Sequence, residues 1–299
     1  MVKRPTTKLR SRRRPHAQES ELMRSLASLK RFPAPVRIVA FLLILGLCWA
    51  PFALPILVLV NDANLRSLLT MPILYLLFVG LLQIWNPAVH SENQPLKRYG
   101  LHSFKLNFKN LFSGLLVAWG FVLILFFFQG DMGWMQWFKP SIGLGKIVLE
   151  SLVVSLAVGF AEELLFRGWL LDELERDYSK GTATIACSAI FAISHFIRPW
   201  DQFIAAWLTF PALFVLGITL VWAKRVTKGR LGLSIGLHAG LVGGYYILNV
   251  GNLVKPISSV PTWLTGMNGN PLASIPGVMA LITIACLVRF CGRFKLRSV

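Results

Sequence analysis

The stretch Ala161–Leu170, AEELLFRGWL, decides how the rest of the chain is read. It sets two adjacent carboxylates and an arginine, Glu162, Glu163 and Arg167, inside a segment otherwise apolar enough to cross a bilayer. An ionised side chain at bilayer depth costs at least ~3 kcal/mol even on the lenient insertion scale, so such a group normally faces a partner or a wet cavity. Three of them in one span need both.

Working outward, the composition supports a membrane setting. The chain has 299 residues, of which 55% are hydrophobic and only 15% charged, and its mean hydropathy is +0.61. That is far too apolar for a soluble globular domain, and it predicts an all-α, polytopic membrane protein. The formal charge of +18 could suggest nucleic acid. A soluble basic domain, however, carries its charge on a polar face, whereas here the charges fall between apolar runs, so no nucleic-acid partner is expected. The four cysteines, Cys48, Cys187, Cys286 and Cys291, form no CxxC pair and lie in or beside apolar runs. They read as buried small hydrophobes.

A span needs ~20 mainly apolar residues. That template gives about eight candidates, at residues 38–60, 65–85, 108–129, 147–171, 182–197, 201–223, 231–250 and 274–291. Pro51, Pro55, Pro72 and Pro211 fall inside them, where kinks are expected. Residues 1–36 read as a basic, disordered tail, 37–292 as the transmembrane domain, and 293–299 as a second basic tail. Alternate connections are basic: the first tail, the loop of Lys97, Arg98 and Lys105, the loop of Arg176 and Lys180, Lys224–Arg230, and the last tail. By the positive-inside rule this places both termini in the cytoplasm, in a bacterial inner or thylakoid-like membrane. Gly130–Pro140, with its tryptophans, and the Pro/Gly-rich Pro256–Pro276 then belong to the other side. No internal repeat of the transporter kind is visible.

Within the fourth span, Glu163 and Arg167 are one helical turn apart and can pair directly. Glu162 lies about 100° around the helix and is left to face a cavity. Two histidines in other spans join this set. His195 follows Phe191 by four residues in AIFAISHFIRP, so the ring can pack on the imidazole, and His238 sits among small residues in GLSIGLHAGLVGG. At 1.5 Å per residue, Glu162, His238 and His195 lie roughly 14, 10 and 20 Å from the basic ends of their spans, depths compatible with one site. His16, His90 and His102 read as solvated. A carboxylate and two imidazoles in a wet pocket are parts for hydrolysis: a base for water, a second proton-handling group, and a donor near a developing oxyanion. Other protease chemistries fit worse, for there is no HExxH, no pair of intramembrane aspartates and no GxSG. Ser234, four residues before His238, offers a Ser–His dyad only in outline, since serine in a span usually bonds a backbone carbonyl. Two imidazoles and a carboxylate could also ligate zinc or iron, but no metal or other cofactor is assigned.

The ordered set EExxxR at Glu162 to Arg167, FxxxH at Phe191 to His195, and a later histidine at His238 resembles the CAAX-protease and bacteriocin-processing (abortive-infection-like) family of intramembrane glutamic endopeptidases. The resemblance covers about residues 100–250. It implies a helical membrane fold with a cytoplasm-facing site and a peptide or membrane-protein substrate handled among membrane lipid. It further implies that Glu162 activates water with help from His195, that His238 contributes to the oxyanion site, and that Glu163 with Arg167 supports both. One position departs: the family commonly has Asn or Asp four residues after the last histidine, and this chain has Val242. An oxyanion donor at that position would be absent, and losing such a donor can cost ~10²–10³ in rate. Asn249 lies roughly 16 Å along the axis from His238, too far to substitute. Val242 therefore keeps a second function in view, a catalytically weak scaffold that binds and stabilises a membrane partner. A third, a transporter with Glu162 and Glu163 as proton carriers, is disfavoured by the missing repeat.

Overall fold

The computed structural model describes residues 21–140, 143–196, 209–267 and 270–297, with the backbone alone at 21–22 and 291–297. Eight principal helices are labelled here in chain order: α1 Ala34–Leu59, α2 Ala63–His90, α3 Phe104–Asp131, α4 Leu144–Asp177, α5 Lys180–Ser194, α6 Thr209–Val226, α7 Gly232–Val250 and α8 Ile275–Arg297. All but α5 and α8 are long and apolar enough to cross a membrane, which makes six, while α5 and the apolar part of α8, Ile275–Phe290, are shorter. The chain is an all-α, multi-pass membrane protein. Helices dominate because hydrocarbon offers no partner for a backbone N–H or C=O, so each segment must satisfy its own.

Every expected span coincides with one of these helices, although the opening of the sixth, residues 201–208, falls outside the described residues, as do His16, the connection 198–201 and the Cys291 side chain. The fifth, whose candidate range of 182–197 is the shortest of the eight, has 15 residues. At 1.5 Å each that is about 22 Å, less than the ~30 Å hydrocarbon core. Helix α1 runs on through Pro51 and Pro55, and α2 through Pro72. Order reaches closer to the N-terminus than residue 37. Glu21–Ser28 is helical and Leu26 is buried. At the other end α8 continues to Arg297.

The centre of the bundle is α7, buried along most of its length. Gly232, Gly236, Gly240 and Gly244 recur every four residues and form one stripe. At Gly236 a Cβ would stand 2.0 Å from the Leu111 carbonyl oxygen, so the α3 backbone lies directly on that stripe. On another face, Ser151 Oγ of α4 donates to Gly243 O at 2.8 Å, and a Cβ at Gly159 would come within 3.1 Å of Ala239 Cβ. Small residues are what permit such approach when lipid removes the usual hydrophobic drive. A second cluster ties α1 and α2 to α4. The Phe41 ring lies 4.2 Å from Trp169, 5.2 Å from Trp85 and 5.9 Å from Phe78, centroid to centroid.

The basic connections share one end of the bundle. Arg98 bonds Asp172 at 2.8 Å, Arg225 bonds Glu175 at 2.6 Å, and Leu231 N donates to Gly100 O at 3.3 Å. At the opposite end two three-residue strands, β1 Met135–Trp137 and β2 Val254–Pro256, pair antiparallel with Met135 facing Pro256. Helix α4, with 34 residues, is about 51 Å long. Its last turns, carrying Asp172 to Asp177, therefore extend beyond the hydrocarbon core.

Two expectations need correction. Cys187 is buried, but Cys48 and Cys286 are exposed on the outside of the bundle. Apolar sequence cannot separate a lipid-facing position from a core-facing one, because lipid tails are as apolar as leucine. His90 is not solvated. Its side chain is 5% exposed and its Nε2 lies against Glu173.

Candidate active site

Helix α4 changes its winding just after the two glutamates. Leu144–Glu163 is α-helical, Leu164–Leu170 forms a π-helical segment, and Leu171–Asp177 resumes the α form. Such wide turns are rare and often mark functional sites. Here Gly168 makes room, since a Cβ would come within 3.2 Å of Tyr99 Cβ, and Lys224 Nζ of α6 donates to the Arg167 carbonyl at 2.6 Å. Neither feature was legible as a signal in AEELLFRGWL.

The structure brings all five site residues of the sequence reading together. Arg167 and Glu163 are fully buried and paired, Nη1 to Oε1, at 2.7 Å. The guanidinium also donates to Gly217 O at 3.3 Å and lies 4.1 Å over the Phe191 ring. The pair is not closed on itself. Glu163 Oε1 is also 2.9 Å from His238 Nδ1, so one carboxylate holds both a guanidinium and an imidazole. A carboxylate only accepts, which places the Nδ1 proton on His238 and turns Nε2 toward Glu162.

His195, at the C-terminal end of α5, is set in the same way by a different group. Its Nδ1 lies 2.8 Å from Phe191 O, which can only accept, and its ring meets the Phe191 ring at 4.8 Å. The Nε2 atoms of His195 and His238 then lie 3.7 and 3.8 Å from Glu162 Oε2. Glu162 is 28% exposed and His195 31%, whereas His238 is 4% exposed and Glu163 not at all. Glu162 Oε2 itself is buried and has no hydrogen-bond partner among the described residues. Two separations of this length are too long for direct bonds but suit a water held off the line, about 2.8 Å from each atom.

The neighbouring alternatives fall away on geometry. Ser234 Oγ donates to Leu231 O at 2.8 Å and is not part of a dyad. Asn249 is exposed, with its amide on Tyr245 OH. Val242 is half-buried one turn from His238. Among the described residues no group of three or more His, Cys, Asp or Glu has the arrangement of a metal site.

The part of the chain that carries these residues is similar to a known family. Residues 144–243 match the family model described as type II CAAX prenyl endopeptidase Rce1-like. This stretch, a third of the chain, is similar to that family. The match agrees with the CAAX-protease resemblance carried by the motifs, and the family is one of proteases. It takes in Glu162, Glu163, Arg167, His195, His238 and Val242, and leaves the first three helices of the bundle outside it. Neither the comparison with curated proteins nor that with solved structures found a match.

Sequence reasoning missed a second charged layer beyond this site. Arg37 of α1, 4% exposed, bonds Glu173 at 2.9 Å and Asp177 at 3.2 Å. Trp85 Nε1 donates to Glu173 at 3.1 Å. Their sequence separations of 136, 140 and 88 residues gave no local pattern to detect.

Proposed function

We propose that this protein is an intramembrane glutamic endopeptidase that hydrolyses a peptide bond of a membrane-associated substrate, with both its termini and its site toward the cytoplasm. The observation that carries the reading is Glu162 Oε2, a buried acceptor without a hydrogen-bond partner among the described residues, facing the Nε2 atoms of two histidines at 3.7 and 3.8 Å. In this reading Glu162 removes a proton from water oriented by His195, and the resulting hydroxide adds to the scissile carbonyl carbon. The proton then passes to the leaving nitrogen as the C–N bond breaks. With its Nδ1 proton committed to Glu163, His238 can donate from Nε2 only as the imidazolium. The carboxylate at 2.9 Å stabilises that state while the oxyanion forms. Arg167, donating to the same oxygen, keeps Glu163 fixed as an acceptor.

The test is cleavage of a membrane-anchored peptide library by the purified full chain. Wild type should yield discrete products. Glu162→Gln and His195→Ala should each lower turnover by about 10²–10⁴, with thermal unfolding unchanged because both residues are partly exposed. Undiminished turnover in either variant rejects the assignment.

Val242 favours a second reading, in which the chain binds and stabilises a membrane partner with little catalysis, because valine supplies no oxyanion donor. The two separate in cells. A deletion phenotype rescued by Glu162→Gln as well as by wild type supports the scaffold, and one rescued by wild type alone supports the protease.

A further inference from the structure

A cavity of about 320 Å³ lies at the basic end of the bundle, lined by Leu171, Glu175, Lys180, Lys224, Arg225 and Gly229. It falls within the range of small-molecule sites, roughly 300–1,000 Å³. Its wall carries three cations and one carboxylate. Glu175 is taken by Arg225, at 2.6 Å, and Arg225 also donates to Lys180 O at 2.9 Å. Among the described residues Lys180 and Lys224 enter no salt bridge. Lys224 is fixed by its one bond to Arg167 O, which leaves its ammonium two further protons to donate. The rim is open at Gly229, where a positive φ of +83° shapes the turn and an added Cβ would meet nothing within 4 Å.

Position narrows the ligand. Lys224 and Arg225 close the apolar helix α6, and Lys180 opens the apolar helix α5. The cavity therefore sits where two membrane-embedded helices reach the headgroup layer. Two ammonium groups there, one held by Arg167 O and one exposed, neither in a salt bridge among the described residues, match a phosphate, which offers several acceptor oxygens and a charge of opposite sign. We infer that the Lys180–Lys224 cavity is a phosphate-binding site at the membrane surface, filled by the phosphate of an anionic phospholipid headgroup. The site is separate from the glutamates, and its occupancy does not depend on whether Glu162 cuts.

The full chain, purified and placed in phosphatidylcholine bilayers, is titrated with phosphatidylglycerol or, in a parallel arm, with inorganic phosphate, and retained lipid is counted by native mass spectrometry. Wild type should retain phosphatidylglycerol at least about tenfold over phosphatidylcholine. Lys224→Gln, which keeps a donor for Arg167 O, and the exposed Lys180→Gln should each lower that preference about tenfold, and Lys224→Arg should preserve it. Circular dichroism and thermal unfolding establish that each variant is folded, and the Lys180→Gln result stands even if Lys224→Gln is not. Protection by inorganic phosphate without retention of phosphatidylglycerol would assign the site to the free ion and overturn the lipid assignment. Equal retention of the two lipids, or of phosphatidylglycerol by wild type and both Gln variants, overturns the site.

Discussion

Glu162 and Glu163 are adjacent in sequence and opposite in circumstance. Glu163 is fully buried between Arg167 and His238, at 2.7 and 2.9 Å, while Glu162 is partly exposed and has an oxygen without a hydrogen-bond partner among the described residues. Their variants should therefore fail differently. Glu163→Gln leaves a guanidinium buried without its counter-ion, a loss that costs about 3–5 kcal/mol. It should depress the unfolding temperature in detergent, whereas Glu162→Gln should not, and equal unfolding temperatures for the two would refute the division. The pairing of Glu163 with Arg167 was legible because helical spacing brings residues four apart onto one face. So was the packing of Phe191 on His195. The engagement of His238 by Glu163 was not, because it joins residues 75 apart. His90 was misread for the same reason. Its partner Glu173 lies 83 residues away, and a histidine followed by a polar loop carries no local mark of burial.

At the scale of elements, apolar run length and the placement of charges were enough to find each of the eight principal helices, since a spanning segment must satisfy its backbone internally, but not the short helix Glu21–Ser28. They could not find the π-helical turn at Leu164–Leu170, which depends on Tyr99 packing at Gly168 and on Lys224 capping Arg167 O. Nor could they find the short β1–β2 pair, whose two segments carry no alternation long enough to read. The glycines of α7 were visible as small residues, but which partner they meet was not. That contact gives a prediction with an internal control. Gly236→Ala forces a Cβ to within 2.0 Å of a backbone carbonyl on α3, so the helices must separate, whereas Gly46→Ala on α1 meets nothing within 4 Å. Overpacking costs about 1–3 kcal/mol, and glycine to alanine in an open helical position contributes about 0.5–1 kcal/mol of stability. Thermal unfolding in detergent should move down for the first variant and up, or not at all, for the second. A shift of the same sign and size in both would show that α7 does not rest on α3 through this stripe.

For the whole molecule, the basic connections meet at one end and the β1–β2 pair closes the other. In the proposed orientation, drawn from the positive-inside rule, the basic end is cytoplasmic and the candidate site opens in the cytoplasmic half, beside the turns of α4 that emerge from the hydrocarbon. The assignment has a direct consequence for labelling. Lys97, in the connection before α3, and Ser258, beyond β2, are both exposed. Cys48 and Cys286 are exposed on apolar helices and Cys187 is buried, so with Cys291 replaced by serine a membrane-impermeant maleimide meets little background. In intact cells Ser258→Cys should label at once, and Lys97→Cys only after the membrane is opened. The opposite order would invert the protein and put the glutamates on the outer side, away from the proposed substrates. Labelling of both without opening the membrane would break the even alternation of the spans. The two substitutions together therefore test orientation and span parity, the two properties on which a cytoplasm-facing protease depends.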